Sequence, residues 1–159
     1  MRILIAEDDF IGRKVLQTYL NKFGTCDIAV NGMEAVNMFL RAHKEQKPYD
    51  LVCLDIMMPI MDGIEVLKTI RNIEKQKKQT KISALSPNSQ LPNSGSKSDP
   101  SDLQVCDPLS VKIIITSALN DRKTVTESFS TGCEAYVWKP IDVEQFHETL
   151  VKLGLINIA

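Results

Sequence analysis

A chain of 159 residues with 43% hydrophobic and 25% charged residues has the composition of a soluble globular protein able to bury its own core. A formal net charge of -1 gives no reason to expect a nucleic-acid or membrane surface, and no apolar run is long enough to span a bilayer. The four cysteines form no C-x-x-C pair and there are only two histidines, His43 and His147, so a zinc site is not expected and Cys53 and Cys133 read as buried or half-buried free thiols.

Along the chain, short apolar runs alternate with amphipathic stretches. Arg2 to Ala6 reads as a strand, too early and too short for a signal peptide, and the expected compartment is the cytoplasm. Ile11 to Phe23 carries Ile11, Val15, Leu16, Tyr19, Leu20 and Phe23 at helical spacing, and Gly24 is a stop signal. Cys26 to Val30 is a second strand, and Asn31 caps a helix from Gly32 to about Glu45. Leu51 to Leu54 is apolar without alternation, as in a strand covered on both faces.

Asp62 and Glu65 form a capping box for a helix that the stripe Ile64, Leu67, Ile70 and Ile73 carries to about Lys77. Val111 to Thr116 is a fourth strand. Asp121 starts a helix that Gly132 ends, Ala135 to Trp138 is a fifth strand, and Asp142 with Gln145 opens a last helix ending at Gly154. Five strand-helix units in succession predict an α/β fold, a parallel sheet with helices on both faces.

Gln79 to Ser110 breaks this pattern. It is rich in Ser, Pro, Asn and Lys, with Pro87, Pro92, Pro100 and Pro108, and is expected to be a flexible insertion within a single domain spanning 1–159. It enters the fourth strand from its amino end, away from the rim where such sheets bind ligands. The lysines from Lys75 to Lys81 read as a solvated helix end that favours cations.

That rim collects chemistry. Strand one ends at Glu7-Asp8-Asp9, strand three at Asp55, strand four at Thr116-Ser117 and strand five at Lys139-Pro140. Singly, these read as a solvated turn, a turn-forming Asp, a cap hydroxyl and a loop lysine. Together they put three repelling carboxylates, a hydroxyl and an ammonium in one place. A hard divalent cation resolves the repulsion, because Mg²⁺ takes carboxylate and phosphate oxygens. Asp55 is then free to act as an oxygen nucleophile toward phosphorus, with Lys139 neutralising the phosphoryl group and Ser117 donating to it.

These residues resemble the receiver domain of two-component response regulators, of the single-domain chemotaxis type. The resemblance is carried by Glu7-Asp8-Asp9, by Leu54-Asp55-Ile56-Met57-Met58-Pro59 with Met61-Asp62-Gly63, by Thr116-Ser117-Ala118, and by Tyr136-Val137-Trp138-Lys139-Pro140. It covers the chain apart from Gln79 to Ser110. It implies a flavodoxin-like strand order 2-1-3-4-5.

It also implies roles. Asp55 accepts a phosphoryl group from a sensor histidine kinase or histidine phosphotransfer protein, and Mg²⁺ or Mn²⁺ is held by Asp9 directly, Asp8 partly through water, Asp55, and the Met57 carbonyl. Ser117 and Tyr136 form the switch, Lys139 contacts the phosphoryl oxygens, and the Lys139-Pro140 bond is cis. The apolar Met57 and Leu119 imply slow self-dephosphorylation. The output is expected through an unidentified partner, with no output domain after Ala159, no nucleic acid and no membrane, as a monomer or phosphorylation-dependent dimer and not as an enzyme.

Three other readings compete. A flavodoxin-like cofactor binder needs a Gly- or Ser/Thr-rich loop where this chain has Glu-Asp-Asp. A hydrolase of the haloacid dehalogenase type needs a second Asp where Met57 stands. A receiver-like interaction module not regulated by phosphorylation keeps the fold without the chemistry.

Overall fold

A computed structural model describes residues 1–85 and 110–157. In chain order the elements are β1 (Arg2–Ala6), α1 (Phe10–Leu20), β2 (Thr25–Ala29), α2 (Gly32–Lys44), β3 (Leu51–Asp55), α3 (Gly63–Leu85), β4 (Lys112–Ser117), α4 (Arg122–Thr131), β5 (Ala135–Trp138) and α5 (Val143–Lys152). The strands form one parallel sheet in the order β2-β1-β3-β4-β5, as the resemblance implied.

The two-residue period of the strands sorts their side chains into two layers. Leu4, Ala6, Val52, Leu54, Ile113 and Ile115 face one side, where Val36 and Phe39 of α2 and Ile64, Leu67 and Ile70 of α3 cover them. Ile3, Ile5, Leu51, Cys53, Ile114 and Val137 face the other, against Leu16 and Leu20 of α1 and Phe146 and Leu150 of α5. The central strands are apolar at successive positions because both faces are covered. Cys53 and Cys133 are buried free thiols, and burial pushes both pKa values up, Cys133 to about 12, so neither is a thiolate near neutrality. Cys106 lies outside the described residues.

The caps read from the sequence form. Asn31 Oδ1 accepts from Glu34 N–H at 2.8 Å, Asp121 Oδ1 from Thr124 N–H at 2.8 Å, and Asp142 Oδ1 from Glu144 and Gln145 N–H. Asp62 and Glu65 exchange bonds as a capping box. Gly132 ends α4 in the left-handed region at φ 111.

Strands β2 and β4 and the end of α5 are shifted by one or two residues from the sequence reading, and two boundaries differ by more. Helix α1 stops at Leu20, three residues short of Phe23, which sits in a tight turn before Gly24. Helix α3 runs past Lys77 to Leu85, because no glycine or proline intervenes before Pro87. Residues 79–85 of the expected insertion are therefore helical, and residues 86–109 lie outside the described residues.

A polar clamp re-anchors the chain where β4 begins. The Arg71 guanidinium donates to the Gly132 and Val111 carbonyls, Ser110 Oγ, Glu74 and Glu134. Glu74 accepts from Val111 N–H at 2.8 Å and Glu134 from Ile113 N–H at 2.6 Å. Nothing in the hydrophobic pattern marks Arg71, because all its partners but Glu74 come from distant segments.

Gly63 sets the loop after β3. A Cβ there would lie 2.2 Å from the Asp55 carbonyl oxygen, while the Gly63 N–H donates to the Ile56 carbonyl at 2.9 Å. Gly63→Ala is expected to lower stability by about 2–3 kcal/mol through this overpacking. A urea midpoint unchanged from wild type would count against that contact.

Candidate functional site

The sheet register delivers four strand ends to one rim. Ala6 pairs with Leu54, Asp55 with Thr116, and Ser117 with Trp138, so the residues following β1 and β5 flank the end of β3. Lys139 N–H donates to the Ser117 carbonyl at 2.9 Å, and the Lys139-Pro140 peptide is cis.

Asp55 is 4% exposed and Glu7 fully buried. Lys139 Nζ bridges them, 2.8 Å from Asp55 Oδ2 and 2.7 Å from Glu7 Oε1. Asp55 Oδ1 accepts from Met57 N–H at 3.2 Å. Glu7, Asp8 and Asp55 each offer an oxygen within 4.8 Å of the others, and Glu7 Oε2 has no protein partner.

Burial drives the Glu7 carboxyl up to about 7; the Lys139 bond opposes this and the neighbouring Asp55 charge adds to it. For Lys139, burial works to lower the ammonium's pKa, but its bonds to Asp55 and Glu7 outweigh it and the net shift is upward. With three carboxylates and one ammonium, the cluster is two positive charges short of balance once Glu7 ionises.

The acidic run is divided differently from the sequence expectation. Asp8 lies in the cluster with Asp55, but so does Glu7, which was assigned no role. The Asp9 carboxylate, expected on the metal, instead caps α1 by accepting from Gly12 N–H at 2.7 Å. Arg13 Nη1 donates to the carbonyls of Glu7 at 2.9 Å and Asp8 at 3.2 Å, so the first turn of α1 holds the acidic run from both ends. The available signal for Glu7 was its position immediately after the apolar strand.

Ser117 and Tyr136 meet through one peptide segment. Ser117 Oγ is buried and accepts from Leu119 N–H at 3.1 Å, and Tyr136 Oη donates to the Leu119 carbonyl at 2.7 Å. Tyr136 also packs on Trp138, with ring centroids 4.7 Å apart, and Trp138 is 41% exposed. Met57 is 61% exposed beside Asp55.

A five-stranded parallel sheet of this order, with acids, hydroxyl and lysine on its carboxyl rim, places the chain in the class of flavodoxin-like α/β domains. The model of the response regulator receiver domain matches residues 3–96, and the chain belongs to that family. The chain is similar to the osmolarity two-component system protein SSK1 of Saccharomyces cerevisiae, 26% identical over 158 residues, covering 99% of this chain and 21% of that protein. It thus spans about a fifth of the length of that relative.

Among solved structures, the receiver domain of Ssk1 in co-crystals with the histidine phosphotransfer signalling protein Ypd1 of S. cerevisiae is 26% identical, with a TM-score of 0.68, covering 97% of this chain and 88% of that one. The CheX-CheY-BeF3-Mg complex of Borrelia burgdorferi contains a chain with the same fold, 22% identical with a TM-score of 0.70, covering 97% and 89%. Among the described residues, no helix is long and apolar enough to cross a membrane.

Proposed function

We propose that residues 1–159 act as one phosphoryl-accepting receiver, in which Asp55 takes a phosphoryl group from a phosphohistidine of a sensor histidine kinase or a phosphotransfer protein. The observation that carries this is the half-neutralised acid cluster. Lys139 satisfies one oxygen each of Glu7 and Asp55, Glu7 Oε2 is left unpaired, and Glu7, Asp8 and Asp55 each offer an oxygen to one shared spot. The Ssk1 receiver crystallised with Ypd1 supports the class of donor.

Glu7, Asp8 and Asp55, with the Met57 carbonyl, fit Mg²⁺ or Mn²⁺, since the donors are all oxygens and one buried oxygen lacks a partner. When bound, the cation offsets the charge of the phosphoryl oxygens and of the carboxylates. An Asp55 oxygen attacks phosphorus, the P–N bond to the donor imidazole breaks, and its electron pair stays on nitrogen. Lys139 remains at the rim to hold a phosphoryl oxygen. The chain acts as a switch and not as a turnover catalyst.

Turning inward to donate to the phosphoryl group moves Ser117 Oγ off the Leu119 N–H it accepts from, and Leu119 also anchors Tyr136. Phosphorylation thereby biases one Ser117–Tyr136 arrangement over another, as differential binding of two states requires. Exposed Trp138, stacked on Tyr136, carries that bias to a surface that an output partner can read. Apolar Met57 and Leu119 place no polar side chain to orient an attacking water, so the acyl phosphate is long-lived.

Incubation with Mg²⁺ and acetyl phosphate, followed by intact mass, tests the reading. A single phosphoryl adduct is expected on the wild type and none on Asp55→Asn. An equal adduct on both, or none on either, overturns it.

A further inference from the structure

Helix α1 contains a glycine in its first turn that serves no turn and has no positive φ. Gly12 lies three residues after the cap Asp9, at a position where alanine is the better helix former. Its surroundings explain it. A Cβ on Gly12 would lie 3.1 Å from Glu7 Cδ and 3.3 Å from each Glu7 carboxylate oxygen. Glu7 itself has no exposed surface, and one of its oxygens is held by Lys139 at 2.7 Å. A methyl group at Gly12 would therefore press on a carboxyl group already held by Lys139.

We propose that Gly12 is a positioning residue for the acid cluster. Its missing side chain makes the space in which glutamate, one methylene longer than aspartate, lies buried with its carboxyl group in the cluster of Asp8 and Asp55. The first turn of α1 is built around that space. Asp9 Oδ2 holds the Gly12 N–H at 2.7 Å, which fixes the helix backbone over Glu7, and Arg13 holds the carbonyls of Glu7 and Asp8. That methyl group displaces the Glu7 carboxyl group, and with it an oxygen intended for the cation. Shortening Glu7 to Asp removes the contact. The two positions are thus coupled in size: Glu with Gly, or Asp with a side chain.

The inference rests on the cation-binding reading above, and the experiment separates the two. Mn²⁺ affinity is measured by the electron paramagnetic resonance of free Mn²⁺ for wild type, Gly12→Ala, Glu7→Asp and the double variant, with thermal midpoints of the cation-free proteins alongside. Gly12→Ala is expected to bind Mn²⁺ about tenfold more weakly, the scale of losses on disturbing a ligand's support. In the double variant the alanine is expected to cost nothing beyond Glu7→Asp alone. The same non-additivity is expected in the cation-free thermal midpoints, where a purely helical role would make Gly12→Ala stabilising in both backgrounds.

If Gly12→Ala alone fails to fold, recovery of folding by Glu7→Asp in the double variant supports the proposal, and failure of both overturns it. Equal Mn²⁺ affinity in wild type and Gly12→Ala, or additive losses, overturns the role of Gly12 and leaves the cation site standing. No Mn²⁺ binding by the wild type overturns both.

Discussion

Lys139→Met is expected to destabilise the cation-free protein by about 3 kcal/mol at pH 8, because removing one partner leaves buried charge uncompensated. Methionine keeps much of the apolar stem and removes the ammonium, so packing changes little. The ammonium bridges Glu7 and Asp55 at 2.7 and 2.8 Å, and both carboxylates are almost wholly buried. Without it, the two carboxylates face each other with no other salt bridge among the described residues. Two treatments are expected to restore much of the loss: lowering the pH, which protonates Glu7, and adding Mg²⁺. Urea midpoints at pH 6 and pH 8, with and without Mg²⁺, measure both. A variant as stable as wild type at pH 8 without cation would falsify the assignment of Lys139 as the neutralising charge.

The second large effect is a fall in cation-free stability as pH rises. Glu7 has its pKa raised from 4.5 to about 7 in the folded chain, chiefly by burial. A raised pKa means that the folded state holds the proton more tightly. The resulting stability is fully present below about 4.5 and is lost as pH rises through about 7. Its size is on the order of 3 kcal/mol at one pKa unit per 1.36 kcal/mol.

Glu134, also raised by burial, adds the same sign. His43, lowered chiefly by burial, acts oppositely, since its contribution grows as pH rises through the ordinary histidine range. Comparison with Glu7→Gln isolates the Glu7 part. Wild type is expected to lose stability between pH 5 and 8 relative to that variant, and Mg²⁺ to reverse the trend, because the cation needs the ionised carboxylate. Parallel pH profiles for the two proteins, without cation, would count against a buried, proton-holding Glu7.

Much of the architecture was legible because it depends on local chemistry. Asn31, Asp62, Asp121 and Asp142 cap helices through contacts within three residues, and the apolar runs at β3 and β4 announce strands covered on both faces. The end of α3 was misjudged because composition suggested a loop, whereas the backbone continues until a residue stops it. Ile60 shows another limit. It takes φ 74 in a three-residue turn closed from Met61 N–H to the Pro59 carbonyl, a conformation no β-branched residue advertises. The Arg71 clamp was invisible for a different reason: its partners Ser110, Gly132 and Glu134 lie 39 to 63 residues away.

By itself, the sequence determined the element order, most caps, and the gathering of Asp8, Asp55, Ser117 and Lys139 at one rim, because strand ends in a parallel sheet share an edge. Only the tertiary structure decided which members of Glu7-Asp8-Asp9 face Asp55. That division depends on where β1 releases the chain and where α1 captures it. The capture takes Asp9 as a cap, and the space over Gly12 admits Glu7 to the pocket. Three adjacent acids look alike as letters, but the turn that follows them gives each a different direction.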